Sequence, residues 1–250
     1  GAQREVVHHG NSEKPVAIVT GAGRGIGRAI AIALAGEGFA LSIAARTRAE
    51  LEETRELAGL PAHESPIFLI DLLQEDAAEL LVDETASHFG RIDVLVNNAG
   101  YAPPRTPLEK LKAGEIERIV TLNLTAPIQL CHSVIGKMTP GRGGAIVNIA
   151  STAAREARSG ETVYAGAKAG LIAFTHALFA DVLERGIKVS VIVPNLTDTS
   201  LIPDNKRLDR GKMLRAKDVA GAVIHVIGSP ADACPVEIVL QPQRDPLLRS

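Results

Sequence analysis

The stretch Thr20-Gly21-Ala22-Gly23-Arg24-Gly25-Ile26-Gly27 lies between a short apolar run, Val16 to Val19, and a helical pattern that begins near Ile26. A glycine-rich turn between a buried strand and a helix is typical of parallel α/β sheets. Glycines allow the backbone to turn tightly, and the N-terminus of the next helix presents unpaired N–H groups and the positive end of a dipole. The stretch therefore predicts a turn that binds phosphate groups through its backbone. The open alternative is a turn that serves packing alone.

The spacing of the glycines distinguishes between the known nucleotide-binding patterns. Gly21, Gly25 and Gly27 form the pattern G-x-x-x-G-x-G, and the pattern G-x-G-x-x-G does not occur here in any register. The pattern G-x-x-x-x-G-K-[ST] is also absent, so the turn lacks the lysine that a P-loop NTPase places on the terminal phosphates. A P-loop NTPase is therefore excluded.

Short apolar, β-branched runs recur between longer helical patterns along the rest of the chain. Most are nearly continuous in apolar residues, as strands buried on both faces of a parallel sheet must be. The connections carry helical periodicity, which a crossover between parallel strands requires. We therefore predict a doubly wound α/β fold, a single domain over 15–250 with helices on both faces of a parallel sheet. The seven predicted strands are Val16–Thr20, Ala40–Ala45, Ile67–Ile70, Val94–Asn97, Ala145–Ile149, Lys188–Val193 and Val236–Leu240.

The composition of the 250 residues excludes several classes of protein. With 46% hydrophobic residues and a net charge of -2, the chain resembles soluble globular proteins and lacks the basic excess of nucleic-acid binders. Its two cysteines are far apart and predict no disulfide, and its apolar runs are too short to span a bilayer. Residues 1–14 are polar and carry no secretory signal, so we expect a disordered or non-native tail and a cytoplasmic location. The histidines, including the pair His8-His9, show no metal-binding spacing, so we expect no metal site.

Three polar residues indicate acid–base chemistry. Ser151 follows the predicted fifth strand at the carboxyl edge, where doubly wound sheets bind ligands, and its hydroxyl can hydrogen-bond a reacting oxygen. Tyr164 and Lys168 are four residues apart in a predicted helix, Val163–Glu184, and therefore share one face. An ammonium group favours a nearby phenolate, so we expect a lowered pKa for Tyr164, which suits a general acid/base. The alternatives are a packing tyrosine and a solvated lysine.

These residues belong to a series of motifs that resembles the short-chain dehydrogenases/reductases. The motifs, in chain order, are Thr20–Gly27, Asn97-Asn98-Ala99-Gly100, Asn123, Ser151 and Tyr164-x-x-x-Lys168. The resemblance implies a Rossmann-type fold in which Tyr164 transfers a proton and Ser151 orients and polarises the reacting oxygen. It also implies that Lys168 holds the nicotinamide ribose and that Asn123 supports a water linking Lys168 to solvent. The alternative for Asn123 is an asparagine that bonds only within its helix.

The same resemblance implies a nicotinamide cofactor. Asp71 is expected to contact the adenine amino group and Thr199 the nicotinamide carboxamide, while the alternative for Asp71 is a turn or capping role. Tyr101 is expected to line the cleft or to pack within its loop. The full set of implied cofactor contacts is Gly21, Gly23, Arg24, Gly25, Ile26, Gly27, Arg46, Asp71, Leu72, Asn98, Ala99, Gly100, Tyr164, Lys168, Pro194, Thr197 and Thr199.

The residues after the predicted second strand discriminate between the two nicotinamide cofactors. An NAD site usually has an acidic residue there, which binds the ribose 2′-hydroxyl and repels a 2′-phosphate. This chain has Ala44-Ala45-Arg46 instead, and Arg24 in the glycine turn can approach the same phosphate from the other side. We predict NADP(H) as the preferred cofactor, with NAD(H) also accepted. The alternative is that both arginines are solvated and the site is indifferent.

Two segments depart from the family pattern. The family usually has Pro-Gly after the sixth strand where this chain has Pro194-Asn195, and asparagine tolerates the positive φ that such a turn uses. We expect a mobile lid over the substrate at about 196–216. The chain end also lacks the glycine-rich tail of 3-oxoacyl-carrier-protein reductases, which weakens a role on acyl-carrier substrates. Arg155 and Arg158 precede Tyr164 and either favour an acidic substrate or point to solvent.

Together these features predict an NADP(H)-dependent oxidoreductase that reduces a ketone, an aldehyde or a 3-oxoacyl group to an alcohol, or catalyses the reverse. The alternative from another class is a catalytically idle NADP(H)-binding regulatory or scaffold protein, and the intact catalytic group argues against it. The resemblance implies a homodimer or homotetramer formed through the helices around Asn123–Met138 and Val163–Glu184. We expect a small-molecule substrate and no nucleic-acid or membrane partner.

Overall fold

The structure is a computed structural model that describes residues 12–138, 143–200, 202 and 207–247. Residues 1–11, most of the predicted tail with its pair His8-His9, lie outside the described residues. The last residues of that tail contact the body of the fold. The Ser12 N–H donates to the Phe89 carbonyl at 2.9 Å, and Lys14 pairs with Glu64 at 2.7 Å.

Within the described residues, nine strands form two sheets. In chain order they are β1 (Val16–Thr20), β2 (Ala40–Ala45), β3 (Ile67–Leu69), β4 (Val94–Asn97), β5 (Ala145–Ile149), β6 (Lys188–Pro194), β7 (Thr197–Asp198), β8 (Leu214–Arg215) and β9 (Glu237–Leu240). Seven of them make one parallel sheet in the order β3-β2-β1-β4-β5-β6-β9. The predicted seven-stranded parallel sheet is confirmed. The ends differ by one residue at β3, β6 and β9.

In the part of the chain that the structure describes, seven α-helices accompany this sheet. They are α1 (Gly25–Gly36), α2 (Arg48–Leu57), α3 (Ala77–Phe89), α4 (Ala113–Val120), α5 (Ala126–Ile135), α6 (Thr162–Val182) and α7 (Ala216–Gly228). Residues of α1, α2 and α7 join the core on one face, and residues of α3, α5 and α6 join the core on the other. Strands buried between two helical layers have no polar face, which explains their continuous apolar sequence.

The strand order places a crevice at the carboxyl edge of the sheet. β1 pairs with β2 on one side and with β4 on the other, so the connections after β1 and after β4 run to opposite sides. Doubly wound sheets bind ligands at the point where the strand order reverses. Thr20 ends β1 and Asn97 ends β4, so the glycine turn and the Asn97–Gly100 motif both border this crevice.

The second sheet is a two-stranded parallel pair, β7 with β8, that the sequence did not predict. The Asp198 carboxylate in β7 pairs with Arg210 and with Arg215, each at 2.6 Å. Strands of two residues are too short to show an alternation of apolar and polar residues, so no local sequence pattern predicts them. The pair joins the start and the end of the predicted lid.

The helix α6 carries Tyr164 and Lys168, and its predicted range Val163–Glu184 is nearly correct. Its last turn, Leu183–Arg185, is a 3₁₀ helix. Together they are long and apolar enough to span a bilayer by length and composition alone. Core helices of globular proteins meet the same criterion, and α6 packs on β6, so this length alone does not assign a membrane span.

Candidate active site

The glycine turn between β1 and α1 is shaped to receive phosphate groups. Gly21 and Gly25 have φ values of 63° and 54°, in the left-handed region that favours glycine. A Cβ atom on Gly27 would lie 2.2 Å from the Gly21 carbonyl oxygen, so no other residue fits there without a rearrangement. The helix α1 begins without a side-chain cap and without an acidic residue in its first turn. Its first N–H groups are therefore suited to an anion.

The motif after β4 is bonded directly to this turn. The Thr20 hydroxyl accepts hydrogen bonds from the Asn98 and Ala99 N–H groups, both at 3.1 Å. Asn98 Nδ2 donates to the carbonyls of Thr20 and Gly21 at 3.0 Å and 3.2 Å. A Cβ atom on Gly21 would lie 2.9 Å from Ala99 Cα, so the two segments touch. Asn98 and Ala99 thus border the turn, as the sequence predicted.

Arg24 and Arg46, the predicted phosphate ligands, are both exposed. Arg28 differs from them, since it donates to the Gly23 carbonyl at 2.5 Å and pairs with Glu53 at 2.7 Å. Within the described part of the chain, neither Arg24 nor Arg46 forms a side-chain ion pair. A phosphate can therefore engage both guanidinium groups without breaking an existing pair.

Two other positions of the turn pack against neighbouring elements of the fold. A Cβ atom on Gly23 would lie 3.0 Å from Glu50 Oε2, so the carboxylate of α2 packs against the turn at this point. The Ile26 side chain is partly buried and packs against the core that α1 shares with α7. Their predicted contacts to the cofactor would therefore come from the backbone.

Asp71 and Leu72 follow β3 at the same edge of the sheet. Asp71 Oδ1 accepts from the Leu73 N–H at 3.1 Å, which is the local turn bond that was the alternative for this residue. Leu72 is buried in the core on the α3 side. The contact of Asp71 with an adenine amino group stays a prediction.

Ser151, Tyr164 and Lys168 come together at the carboxyl end of β5. Ser151 lies two residues beyond the strand, and its Oγ accepts from the Ala153 N–H at 3.2 Å. The Ser151 hydroxyl acts on the Tyr164 phenol, whose pKa it lowers. Lys168 Nζ lies 5.9 Å from the centre of the Tyr164 ring and donates to the Ile149 carbonyl at 2.8 Å. A hydroxyl, a phenol and an ammonium group thus border one site.

The expected lowering of the Tyr164 pKa is wrong for this arrangement. Burial raises the pKa of Tyr164 above its ordinary value of 10.0, the hydrogen bond from Ser151 opposes this, and the charge of Glu161 adds to the rise. Lys168 is also buried, and burial lowers its own pKa from 10.5 to about 8. Its ammonium group is also committed to a backbone carbonyl rather than to the phenol.

Asn123 lies at the centre of a π turn, Thr121–Thr125, between α4 and α5. It is fully buried, and its Nδ2 donates to the carbonyls of Tyr101 and Ile119 at 2.7 Å and 2.9 Å. Its Oδ1 accepts from the Tyr101 N–H at 3.3 Å, and a Cβ atom on Gly100 would lie 2.8 Å from that oxygen. The bond to Ile119 is the local one that was the alternative, but the other two hold the loop after β4. Single π turns are frequent at functional sites.

The sequence that carries this site matches a known protein family. The family model for the short chain dehydrogenase matches residues 15–208. The chain belongs to this family. The family matched is the one that the motifs resemble.

Individual relatives agree with this family. A human 3-oxoacyl-[acyl-carrier-protein] reductase is 31% identical over 221 residues, which cover 86% of this chain and 92% of the relative. A solved short chain dehydrogenase from Burkholderia cenocepacia in complex with NADP is 30% identical, with a TM-score of 0.81 over 91% of this chain and 96% of that one. A 3-ketoacyl-(acyl-carrier-protein) reductase from Brucella melitensis complexed with NADH is 26% identical, with a TM-score of 0.83 over 92% and 98%.

This short-chain dehydrogenase replaces the usual glycine after Pro194 by Asn195, which does not use the positive φ that asparagine tolerates. Among the described residues, only glycines have positive φ. Asn195 instead uses its side chain, because Oδ1 accepts from the Leu196 N–H at 2.6 Å and Nδ2 donates to Gln241 Oε1 at 2.5 Å. The two departures from the family pattern, at Asn195 and at the chain end, therefore contact each other.

The residues that follow return the chain to the glycine turn. Thr197 is buried in β7 and donates to the Asn195 carbonyl at 2.9 Å. A Cβ atom on Gly25 would lie 3.4 Å from Cβ and Cγ2 of Thr199. Thr199 thus borders the predicted cofactor crevice. Within the predicted lid at 196–216, residues 201 and 203–206 lie outside the described residues.

The two arginines before Tyr164 differ in their surroundings. Arg155 forms an ion pair with Glu237 in β9, and the other oxygen of Glu237 contacts His176 Nε2 at 2.9 Å. Arg155 is therefore bound to the edge strand. Arg158 is partly buried, and its N–H donates to Glu161 Oε2 at 2.9 Å.

The sequence analysis missed a contact between two loops beside Tyr164. Arg105 Nε donates to Glu161 Oε1 at 3.0 Å, and the Thr106 N–H donates to the Gly160 carbonyl at 3.1 Å. Glu161 lies three residues before Tyr164, a spacing that brings side chains together on a helix and that the sequence offered as a signal. No sequence pattern indicated its partner, 56 residues away.

Other reactive side chains of the described chain take no part in this site. No group of three or more His, Cys, Asp and Glu side chains is placed to hold a metal ion within the described residues. Cys131 is buried behind β4, and burial raises the pKa of its thiol to about 12, so this cysteine is unreactive.

Proposed function

We propose that this short-chain dehydrogenase is an NADP(H)-dependent oxidoreductase that reduces a carbonyl group to an alcohol. The observation that carries the proposal is the meeting of Ser151, Tyr164 and Lys168 at the carboxyl end of β5, on the sheet edge that also carries the glycine turn. The proposed proton donor, Tyr164, and the glycine turn that would bind phosphate thus lie on the edge at which doubly wound sheets bind ligands.

Each residue has one task in this proposal. The Ser151 hydroxyl donates a hydrogen bond to the reacting oxygen and polarises the carbonyl. Tyr164 gives its phenolic proton to that oxygen. Lys168 orients the nicotinamide ribose and replaces the proton on Tyr164, and Asn123 holds the loop that walls the site. A bound nicotinamide cofactor supplies the hydride that the carbonyl carbon receives.

The protonation state of Tyr164 supports the direction of reduction. Because burial raises the pKa of Tyr164, the phenol carries its proton at neutral pH. A protonated phenol is ready to act as a general acid, whereas alcohol oxidation needs the phenolate. In this protonation state the phenol is suited to the carbonyl reduction that we propose.

The choice of NADP(H) rests on Arg24 and Arg46. Both are exposed, and the chain has no acidic residue directly after β2 to repel a 2′-phosphate. The relative from Burkholderia cenocepacia is in complex with NADP, and the one from Brucella melitensis is complexed with NADH, so relatives of this similarity include both cofactors. We propose that NADP(H) is preferred and that NAD(H) is also accepted.

The substrate class that we propose is a ketone, including 3-oxoacyl groups. Two relatives are named as 3-oxoacyl or 3-ketoacyl reductases. The carrier itself is less favoured, because the chain end after β9 differs from the glycine-rich tail of those enzymes and contacts Asn195 instead. We propose that the segment 196–216 covers this substrate.

The test is turnover of NADPH, followed by its absorbance, on a panel of 3-oxoacyl thioesters, ketones, aldehydes and quinones. We expect oxidation of NADPH by at least one ketone and its loss in Tyr164→Phe. Binding of NADPH without turnover on the whole panel, with Tyr164→Phe indistinguishable from the parent, would favour an idle scaffold protein and overturn the proposal.

We also propose that the enzyme is a cytoplasmic homo-oligomer. The helix α6 is apolar around its circumference, yet only part of it is buried within one chain. A helix of this kind is normally buried on all sides, so a second copy of the chain is the natural cover for α6 and α5. Light scattering after gel filtration tests this, and a monomer at micromolar concentration would contradict it.

A further inference from the structure

Arg105 and Glu161 form an ion pair between two loops that flank the catalytic tyrosine. We propose that this pair controls the proton affinity of the Tyr164 phenol and closes one side of the substrate cleft, with Glu161 as a positioning residue. The reaction affected is the one under Proposed function. The effect on the phenol itself is measurable without turnover.

The Glu161 carboxylate is fixed by two independent donors. Arg105 Nε donates to Oε1 at 3.0 Å, and the Arg158 N–H donates to Oε2 at 2.9 Å. The Glu161 side chain is 20% exposed, whereas that of Arg105 is 52% exposed. The backbone bond keeps the carboxylate in place even when the arginine is removed. Glu161 also lies one helical turn before Tyr164, so its charge is held close to the ring.

The contact between the loops is built into the backbone as well. The Thr106 N–H donates to the Gly160 carbonyl at 3.1 Å. Gly160 has a φ of 84°, and a Cβ atom there would lie 2.8 Å from the Thr106 nitrogen. A side chain at this position would therefore both strain the backbone and push the loops apart. The loop of Arg105 begins at Tyr101, which Asn123 holds through its backbone.

Few groups act on the Tyr164 phenol. Glu161 lies at the N-cap of α6, where its carbonyl accepts from the Ala165 N–H at 2.8 Å, and Lys168 lies within α6. Ser151 follows β5 and is neutral, and Arg105 faces Glu161 from the opposite loop. The Glu161 charge disfavours the phenolate, and Arg105 offsets part of that charge. Removing either partner breaks the same ion pair. The change in charge at the phenol is opposite in the two cases.

The chain offers a direct readout, because it has 2 tyrosines and no tryptophan. In a Tyr101→Phe background, Tyr164 is the only tyrosine, and its phenolate is measured by near-ultraviolet absorbance. At one alkaline pH at which circular dichroism shows a native fold, we expect the phenolate fraction to rise in Glu161→Gln and to fall in Arg105→Gln. The pH at which kcat/KM for reduction falls to half should move down in Glu161→Gln and up in Arg105→Gln, as the change in phenol pKa requires.

Gly160→Ala separates charge from loop contact. It keeps both charges but opens the loops, so we expect a raised KM and a phenolate fraction closer to the parent than in either charge variant. Shifts of the same sign in Glu161→Gln and Arg105→Gln, or no shift in both, would overturn the proposal. Opposite phenolate shifts in an enzyme that reduces no carbonyl would leave it intact and refute the proposed function instead.

Discussion

Asn123 holds the backbone of Tyr101 from both sides, because its Nδ2 donates to the Tyr101 carbonyl at 2.7 Å and its Oδ1 accepts from the Tyr101 N–H at 3.3 Å. The Asn123 side chain therefore links the π turn to the loop after β4. Its third bond, to the Ile119 carbonyl, links it to the preceding helix. Asn123 thus holds the start of this loop, while Arg105 and Thr106 hold it further along through Glu161 and Gly160.

Asn123→Ala is expected to reduce both stability and activity. It leaves the Tyr101 and Ile119 carbonyls without their donor, and an unsatisfied buried group costs about 1 to 3 kcal/mol. A displaced wall should lower kcat/KM on the order of tenfold or more, which corresponds to about 1.4 kcal/mol of lost transition-state stabilisation. Urea unfolding and NADPH turnover measure the two effects. Tyr101→Phe is the control, since it keeps every backbone bond, and equal losses in both variants would contradict this role.

Gly27→Ala is expected to abolish cofactor binding. Its Cβ atom would meet the Gly21 carbonyl oxygen at 2.2 Å, which the turn relieves only by moving. The matched control is Gly221→Ala in α7, where a Cβ atom meets nothing within 4 Å. That change should stabilise the protein by about 0.4 to 1 kcal/mol, because glycine is unfavourable within a helix. Calorimetric titration measures the affinity of each variant for NADPH. Binding of NADPH by Gly27→Ala at the parental affinity would contradict a cofactor-binding role for the glycine turn.

Lys168→Met is expected to stabilise the folded protein at neutral pH while abolishing activity. Below about pH 8, Lys168 is protonated in both states, and its buried charge destabilises the fold. Between about 8 and 10.5 the folded state loses this proton while the unfolded state keeps it, so the free energy of unfolding of the parent rises with pH. The full difference amounts to about 2 to 3 kcal/mol.

The measurement for Lys168 is urea unfolding of parent and variant from pH 7 to pH 10. The advantage of Lys168→Met should shrink as the pH rises through this window. Lys110→Met, at an exposed position, is the control and should show a constant difference. A gap between parent and Lys168→Met that grows with pH would have the wrong sign for a lysine of lowered pKa.

Arg46→Asp is expected to move the cofactor preference from NADP(H) toward NAD(H). A charge-assisted bond to phosphate contributes about 1.5 to 3 kcal/mol, so the ratio of the two kcat/KM values should change by roughly tenfold to a hundredfold. Arg24→Ala should act in the same direction but less, since it adds no negative charge. Arg244→Asp, far along the chain, changes the net charge equally and serves as the control. An unchanged ratio in Arg46→Asp would remove the basis for the NADP(H) assignment.

The sheet was predictable because its strands are buried on both faces. In β1, every residue from Val16 to Thr20 is at most 1% exposed, and a run of this kind leaves a clear apolar signal. The proximity of Tyr164 and Lys168 was predictable for a different reason, since the two residues share a helix face by their spacing alone. Both kinds of signal are local in the sequence.

The rest of the site depends on contacts between distant residues. Nothing near Asp198 in the sequence indicates its two arginines, and nothing near Arg105 indicates Glu161. The sign of the Tyr164 pKa was wrong because spacing locates Lys168 but does not reveal how deeply both groups are buried. Burial is a property of the packed fold, and it outweighs the charge of a single neighbour here.

The pairing of β7 with β8 has a consequence for how this enzyme changes over time. Because β7 pairs with β8 and Asp198 pairs with Arg215, the chain is tied together at Thr197–Asp198 and Leu214–Arg215. A connection between two fixed ends tolerates inserted, deleted or exchanged residues better than a strand or helix does. We therefore expect sequence changes between these ends to alter the proposed substrate cover while Thr199 stays beside the glycine turn.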